Sequence, residues 1–139
     1  MNEIESLLPH RDPFLFVGEI LEADSKKTIT KRLFSEKDFF FKGHFPGYPV
    51  VPGVILIETM AQSGGAGLRK LGILGDNALF FLATVDKVKF RRQVRPGDEL
   101  RSEITNLRVS AKMIKQSGKA FVGDELVAEA EWMCLVSAN

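Results

Sequence analysis

The chain has 139 residues, 45% of them hydrophobic, with 19 Lys and Arg against 18 Asp and Glu for a formal charge of +1. That length suits one domain, residues 1–139, burying about two-thirds of the surface its unfolded chain exposes. The near-neutral balance excludes bulk attraction to nucleic acid and leaves any electrostatic partner to a local patch. Residues 1–5 lack the basic segment of a secretory leader, and no apolar run approaches the ~18 residues of a membrane span, so a cytoplasmic protein without membrane insertion is expected.

Residues 3–8 predict a short helix ahead of Pro9. Residues 14–23 predict a strand, Asp24-Ser25 a turn and residues 26–33 the hairpin partner, supported by the β-branched Thr28, Ile29 and Thr30. His10, just before this hairpin, reads as a tether for the entry loop, because no acidic residue at suitable spacing accompanies it. The run Phe39-Phe40-Phe41 reads as core, with a second use as an apolar wall beside the loop that follows.

Between Gly43 and Gly53, Pro46, Pro49 and Pro52 pin the backbone around His44. Pro52 and Gly53 stand where a helix begins, and the helix is predicted over residues 54–71, about 27 Å long, with Gly72 closing it in the left-handed conformation. Glu58 falls on that helix among Val54, Ile55 and Ala61, so desolvation should raise its pKa and keep a proton on it. Either it pairs with a distant cation or it serves as a general acid. His44, in a pinned loop, is either a residue bonded to a backbone carbonyl or a base matched to that acid. Gln62, one turn beyond Glu58, is either a buried amide or the group that orients its carboxyl. Gly64, Gly65 and Gly67 each cost about 1 kcal/mol in a helix, so close approach to a sheet or second helix is expected to offset them.

Residues 78–91 predict a long strand covered on much of both faces. The next begins near Asp98. Leu100, Ser102 and Ile104 share one phase while Leu107 and Val109 take the other, which predicts a bulge or strong bend between Ile104 and Leu107. Residues 113–122 predict a strand and Gly123-Asp124 a hairpin turn. Beyond it Leu126, Ala128, Ala130, Trp132 and Cys134 alternate with Val127, Glu129, Glu131, Met133 and Leu135 as a half-buried strand. Cys134, the single cysteine, reads as packing. Two histidines, one cysteine and no carboxylates at ligand spacing predict no metal site.

Two strands, a long helix and four strands make an α+β arrangement in which a sheet packs on a helix. The stretch Gly43-His44-Phe45-Pro46-Gly47-Tyr48-Pro49-Val50-Val51-Pro52-Gly53-Val54, followed by Glu58 and by Ala61-Gln62, resembles the signature of the 3-hydroxyacyl-[acyl-carrier-protein] dehydratases of bacterial fatty acid synthesis. The resemblance extends to Leu8-Pro9-His10-Arg11 with Pro13-Phe14-Leu15, to Val88-Lys89-Phe90-Arg91 and to Pro96-Gly97-Asp98, and so covers roughly residues 7–135. Glu58 matches the glutamate branch; a related group that also isomerises the double bond has aspartate there. Asp12 and Gly18 depart from the family's tyrosine and aspartate.

The resemblance implies a hot dog fold, an antiparallel sheet wrapped around the central helix, in a homodimer assembled as a trimer of dimers. It implies dehydration of (3R)-3-hydroxyacyl-[acyl-carrier-protein] to the trans-2-enoyl form, for fatty acids and lipid A precursors. No cofactor is implied beyond the phosphopantetheine of the acyl carrier protein that bears the substrate. His44 becomes the base and Glu58 the acid, drawn from different subunits. Gly53 offers its backbone N–H to the carbonyl oxygen, and Phe45, Val54 and Gln62 lie against substrate. A hot dog thioesterase and a catalytically silent acyl-binding subunit are the alternatives. Lys87, Lys89 and Arg91 alternate with Val88 and Phe90, and Arg92 and Arg95 follow. These five are either a solvated face or, given the implied acidic carrier, its docking patch.

Overall fold

A computed structural model describes residues 1–137. The elements are helix α1 (Glu3–Leu7), strands β1 (Glu19–Ala23) and β2 (Lys27–Leu33), a 3-10 turn (Phe39–Lys42), helix α2 (Gly53–Lys70), and strands β3 (Phe80–Phe90), β4 (Glu99–Val109), β5 (Met113–Val122) and β6 (Glu125–Val136). The strands form one antiparallel sheet in the order β1-β2-β4-β5-β6-β3, curled so that α2 touches every strand. This is the hot dog arrangement.

Period-2 side chains build the concave face: Thr28 and Thr30 on β2, Leu100 and Ile104 on β4, Ile114 and Ala120 on β5, Ala130, Trp132 and Cys134 on β6. Against them α2 buries Leu56, Met60 and Leu68. Trp132 is 1% exposed, and truncating it to alanine would cost about 3–5 kcal/mol. The helix lies close to the sheet because it carries glycine where sheet side chains reach it: a Cβ at Gly64 would strike Gln116, at Gly65 Phe80, and at Gly67 Thr28. Thr30 Oγ1 and Ser63 Oγ bond at 2.7 Å across the same interface. Past the helix, the Arg69 guanidinium donates to the carbonyls of Gly75, Asp76 and Ala78 and holds the following loop.

Several boundaries differ from expectation. The first strand starts at Glu19, not Phe14, because the backbone of Phe14 and Phe16 is bonded to the Gln62 amide instead of a neighbouring strand. The register of β4 slips between Asn106 and Arg108, which leaves Leu107 as the extra residue close to the expected bend. A second slip, opposite Ala120 and Phe121, turns Val127 inward to full burial where strict alternation would expose it. The largest difference is β3, which is exposed along nearly its whole length, with Phe81, Leu82, Val85, Val88 and Phe90 all open. It is the sheet's edge, paired on one side by β6 alone. An apolar run identifies a strand that needs cover but not what supplies the cover.

Candidate active site

The first turn of α2 has Pro52 as N-cap with no side-chain bond to the helix amides, so the Gly53 N–H gains no partner from the cap. The macrodipole places partial positive charge there. Phe90 explains the glycine: a Cβ at position 53 would lie 2.7 Å from its ring.

One turn further, the Glu58 side chain is 20% exposed. Burial pushes its carboxyl above the ordinary 4.5, opposed by the hydrogen bond from Gln62. That bond runs from Nε2 to Oε2 at 2.8 Å. The amide's orientation is fixed by its other partners, since Oε1 accepts from the Phe16 N–H at 2.9 Å and Nε2 also donates to the Phe14 carbonyl at 3.1 Å. Oε2 is also 3.7 Å from His10 Nε2. Sequence reasoning denied His10 an acidic partner; the fold brings Glu58 to it from 48 positions away, and no local spacing could have revealed that. The buried Cys134 thiol is pushed up to about 12 by desolvation and then by Glu58, which leaves it without nucleophilic character.

His44 follows the 3-10 turn, where its N–H donates to Phe40 O, and its own carbonyl accepts from Val50 N–H. The ring Nδ1 lies 2.8 Å from the Val50 carbonyl. A carbonyl only accepts, so Nδ1 carries the proton and the neutral ring's free lone pair is on Nε2. Beyond His44 the chain turns back on itself between Phe45 and Tyr48, with Gly47 at φ 76°. The Arg95 guanidinium covers the Tyr48 ring and its Nε donates to Pro49 O, which ties this loop to the segment after β3.

His44, Gly53, Leu56, Phe90, Arg91 and Arg92 line a cavity of about 460 Å³. The fold thus brings the histidine and the helix start together. Glu58 and Gln62 form a second cluster with His10. Among the described residues no hydrogen bond or ion pair joins His44 to Glu58. Phe45 is 51% and Val54 71% exposed.

The basic stretch is less free than its sequence implies. Lys87 pairs with Glu131, Arg91 with Glu129, and Arg92 with both Asp98 and Glu125. Its simple alternation fails as well, because Lys87 takes φ 52° where the register slips between Asp86 and Lys89. Among the described residues, no group of three or more His, Cys, Asp or Glu side chains could hold a metal, and no helix is long and apolar enough to cross a membrane.

The FabA-like domain model matches residues 8–131. The chain is 44% identical over 137 residues to the 3-hydroxyacyl-[acyl-carrier-protein] dehydratase FabZ of Pelotomaculum thermopropionicum, covering 98% of this chain and 97% of that one. It is 47% identical over 135 residues to the same-named protein of Desulforamulus reducens, covering 96% and 94%. Among solved structures it shares its fold with the dehydratase heterocomplex ApeI:P of Xenorhabdus doucetiae, with a TM-score of 0.86 at 18% identity over 100% of this chain and 93% of that one.

Proposed function

The chain belongs to the FabA-like family, and we propose from that membership and from the two clusters above how it dehydrates 3-hydroxyacyl-[acyl-carrier-protein] in fatty acid biosynthesis. His44 Nε2 removes a proton from the carbon next to the thioester. The electron pair moves toward the carbonyl oxygen, which the Gly53 N–H meets. As the C–O bond at the third carbon breaks, Glu58 protonates the departing hydroxyl, so water and the 2-enoyl thioester leave. One proton is taken and one given, and exchange between His44, Glu58 and solvent restores both groups.

The observation that carries this reading is the Glu58 carboxyl, whose burial raises its pKa in the direction that favours a proton donor and which Gln62 holds in place by a hydrogen bond. A thioesterase would need that carboxylate ionised to activate water. Phe45 and Val54 are exposed apolar surface of the kind that lies against an acyl chain. Residues 1–139 act as one domain, in a homodimer whose subunits exchange His44 and Glu58. The exposed, apolar outer edge of β3 and the lack of any bond between His44 and Glu58 among the described residues support that assembly, and the trimer of dimers is its extension. The acyl carrier protein docks at Lys87, Lys89, Arg91, Arg92 and Arg95, of which Arg91 and Arg92 rim the His44 cavity.

The test uses His44→Ala and Glu58→Gln proteins, alone and mixed under verified subunit exchange, with a 3-hydroxyacyl thioester. Each alone should lose at least about a hundredfold in turnover, and the mixture should recover enoyl product because a mixed dimer holds one intact pair. Free acid as the product would establish thioester hydrolysis. Well-folded single variants with more than about a tenth of wild-type turnover would refute the assigned roles.

A further inference from the structure

The chain has two histidines and the reaction above uses one. His10 leaves α1 behind Pro9, and the Arg11 guanidinium fastens this corner by donating to the carbonyls of Leu8 and His10 itself. The ring sits against Phe80 of β3, with centroids 5.7 Å apart. Its Nδ1 is buried without a hydrogen-bond partner, while its Nε2 faces Glu58 Oε2 at 3.7 Å. A buried N–H without a partner is rarer and costlier than an idle lone pair, so the neutral ring carries its proton on Nε2.

We infer that His10 is a positioning residue for Glu58: together with Gln62 it directs N–H groups at Oε2, so the acid carries its transferable proton on Oε1. Oε2 already receives the Gln62 N–H at 2.8 Å, whereas Oε1 has no partner among the described residues. Once Glu58 has given up its proton, the carboxylate left in a desolvated pocket is the state these donors stabilise. The 3.7 Å gap belongs to the resting carboxyl and closes as charge develops, as hydrogen bonds at reacting groups commonly do. Protonation of His10 would place a full cation there, but the ring's surroundings oppose it. Burial lowers its pKa first, followed by the charges of Arg11 on its own segment and Arg69 on α2, while the Phe80 ring contributed by β3 is uncharged. His10 therefore works as a neutral donor. This role rests on Glu58 acting as the dehydration acid.

The experiment compares His10→Phe, His10→Asn and His10→Gln in the full chain, reading kcat, KM and the pH profile of kcat with a 3-hydroxyacyl thioester. A glutamine amide nitrogen reaches about where Nε2 lies; an asparagine amide reaches only about as far as Nδ1. His10→Phe and His10→Asn should lower kcat about tenfold, the loss expected for one hydrogen bond to a charged group, with KM within about twofold. Their basic limb should move up by about one pH unit, because removing a donor to the carboxylate raises the pKa of Glu58. His10→Gln should restore both values toward wild type. A wild-type kcat and limb in His10→Phe, or a His10→Gln protein as impaired as the other two, overturns the assignment. Glu58→Gln is measured alongside: if it stays active, the acid role of Glu58 fails, whereas an inactive Glu58→Gln with a normal His10→Phe sinks only the role of His10.

Discussion

Gln62→Leu tests the support of the acid most directly, since leucine keeps the volume and removes every hydrogen bond. Gln62 is fully buried and makes three bonds, accepting from Phe16 N–H and donating to Phe14 O and Glu58 Oε2. The substitution leaves the Phe16 N–H without a partner, at about 1–3 kcal/mol, and frees the entry loop that Phe14 anchors. A total loss of about 3 kcal/mol is expected, equivalent to a fall of roughly 10 °C in Tm for a domain of this size. At the site, the Gln62 hydrogen bond that lowers the Glu58 pKa disappears. The acid then holds its proton to higher pH, so the basic limb of the kcat profile moves up while kcat falls about tenfold through lost positioning. Thermal denaturation followed by circular dichroism gives the first quantity, and enoyl formation across pH gives the second. A variant melting within about 2 °C of wild type with an unmoved limb would mean that the amide holds neither the loop nor the carboxyl.

Glu58 should make stability fall with rising pH: its folded pKa lies above the unfolded one, so its stabilising contribution is complete below the unfolded value and is lost as pH rises through the folded value. Urea titrations should show Glu58→Gln gaining on wild type from pH 4 to pH 8, and a constant difference would contradict the buried, protonated acid. Gly67→Ala tests the contact between helix and sheet, because helix propensity alone predicts about 1 kcal/mol of stabilisation, whereas a Cβ driven into buried Thr28 predicts a loss of about 1–3 kcal/mol. The sign of the measured change decides between them. For carrier docking, Lys89→Glu with Arg92→Glu should slow turnover of carrier-linked substrate and spare a coenzyme A analogue, with the wild-type preference shrinking as salt rises. Equal losses on both substrates would point instead to damage at the site.

The helix was legible because its signals are local: Pro52-Gly53 marks the start, Gly72 takes φ 75° at the end, and the glycines between them announced a close neighbour without naming it. The phase change from Ile104 to Leu107 was legible for the same reason, since a bulge is recorded in the alternation itself. The bulge that buries Val127 left no such trace, because the apolar residues around it satisfy either phase. His10 beside Glu58, and Glu131, Glu129 and Glu125 beside Lys87, Arg91 and Arg92, are brought together from positions far apart in the chain, and only the tertiary fold sets those pairings.

The exposure of Val54 and the raised pKa of Glu58 are linked through one helix face. Val54 lies one turn before Glu58, so both point the same way, and Val54 is 71% exposed in the single chain. A partner that covers Val54 also takes water from Glu58, whose side chain retains 20% of its exposure. In the proposed dimer the acid is therefore more desolvated than in the isolated subunit, and its pKa moves further in the direction that suits proton donation. In the proposed dimer the same docking would bring a second His44, held by its Val50 bond with Nε2 free, toward Glu58. Assembly of that proposed dimer would then do two things at once: complete the pair of groups and tune one of them. In the proposed dimer an apolar edge strand, a hazard in a monomer, would be the means by which the site acquires its chemistry.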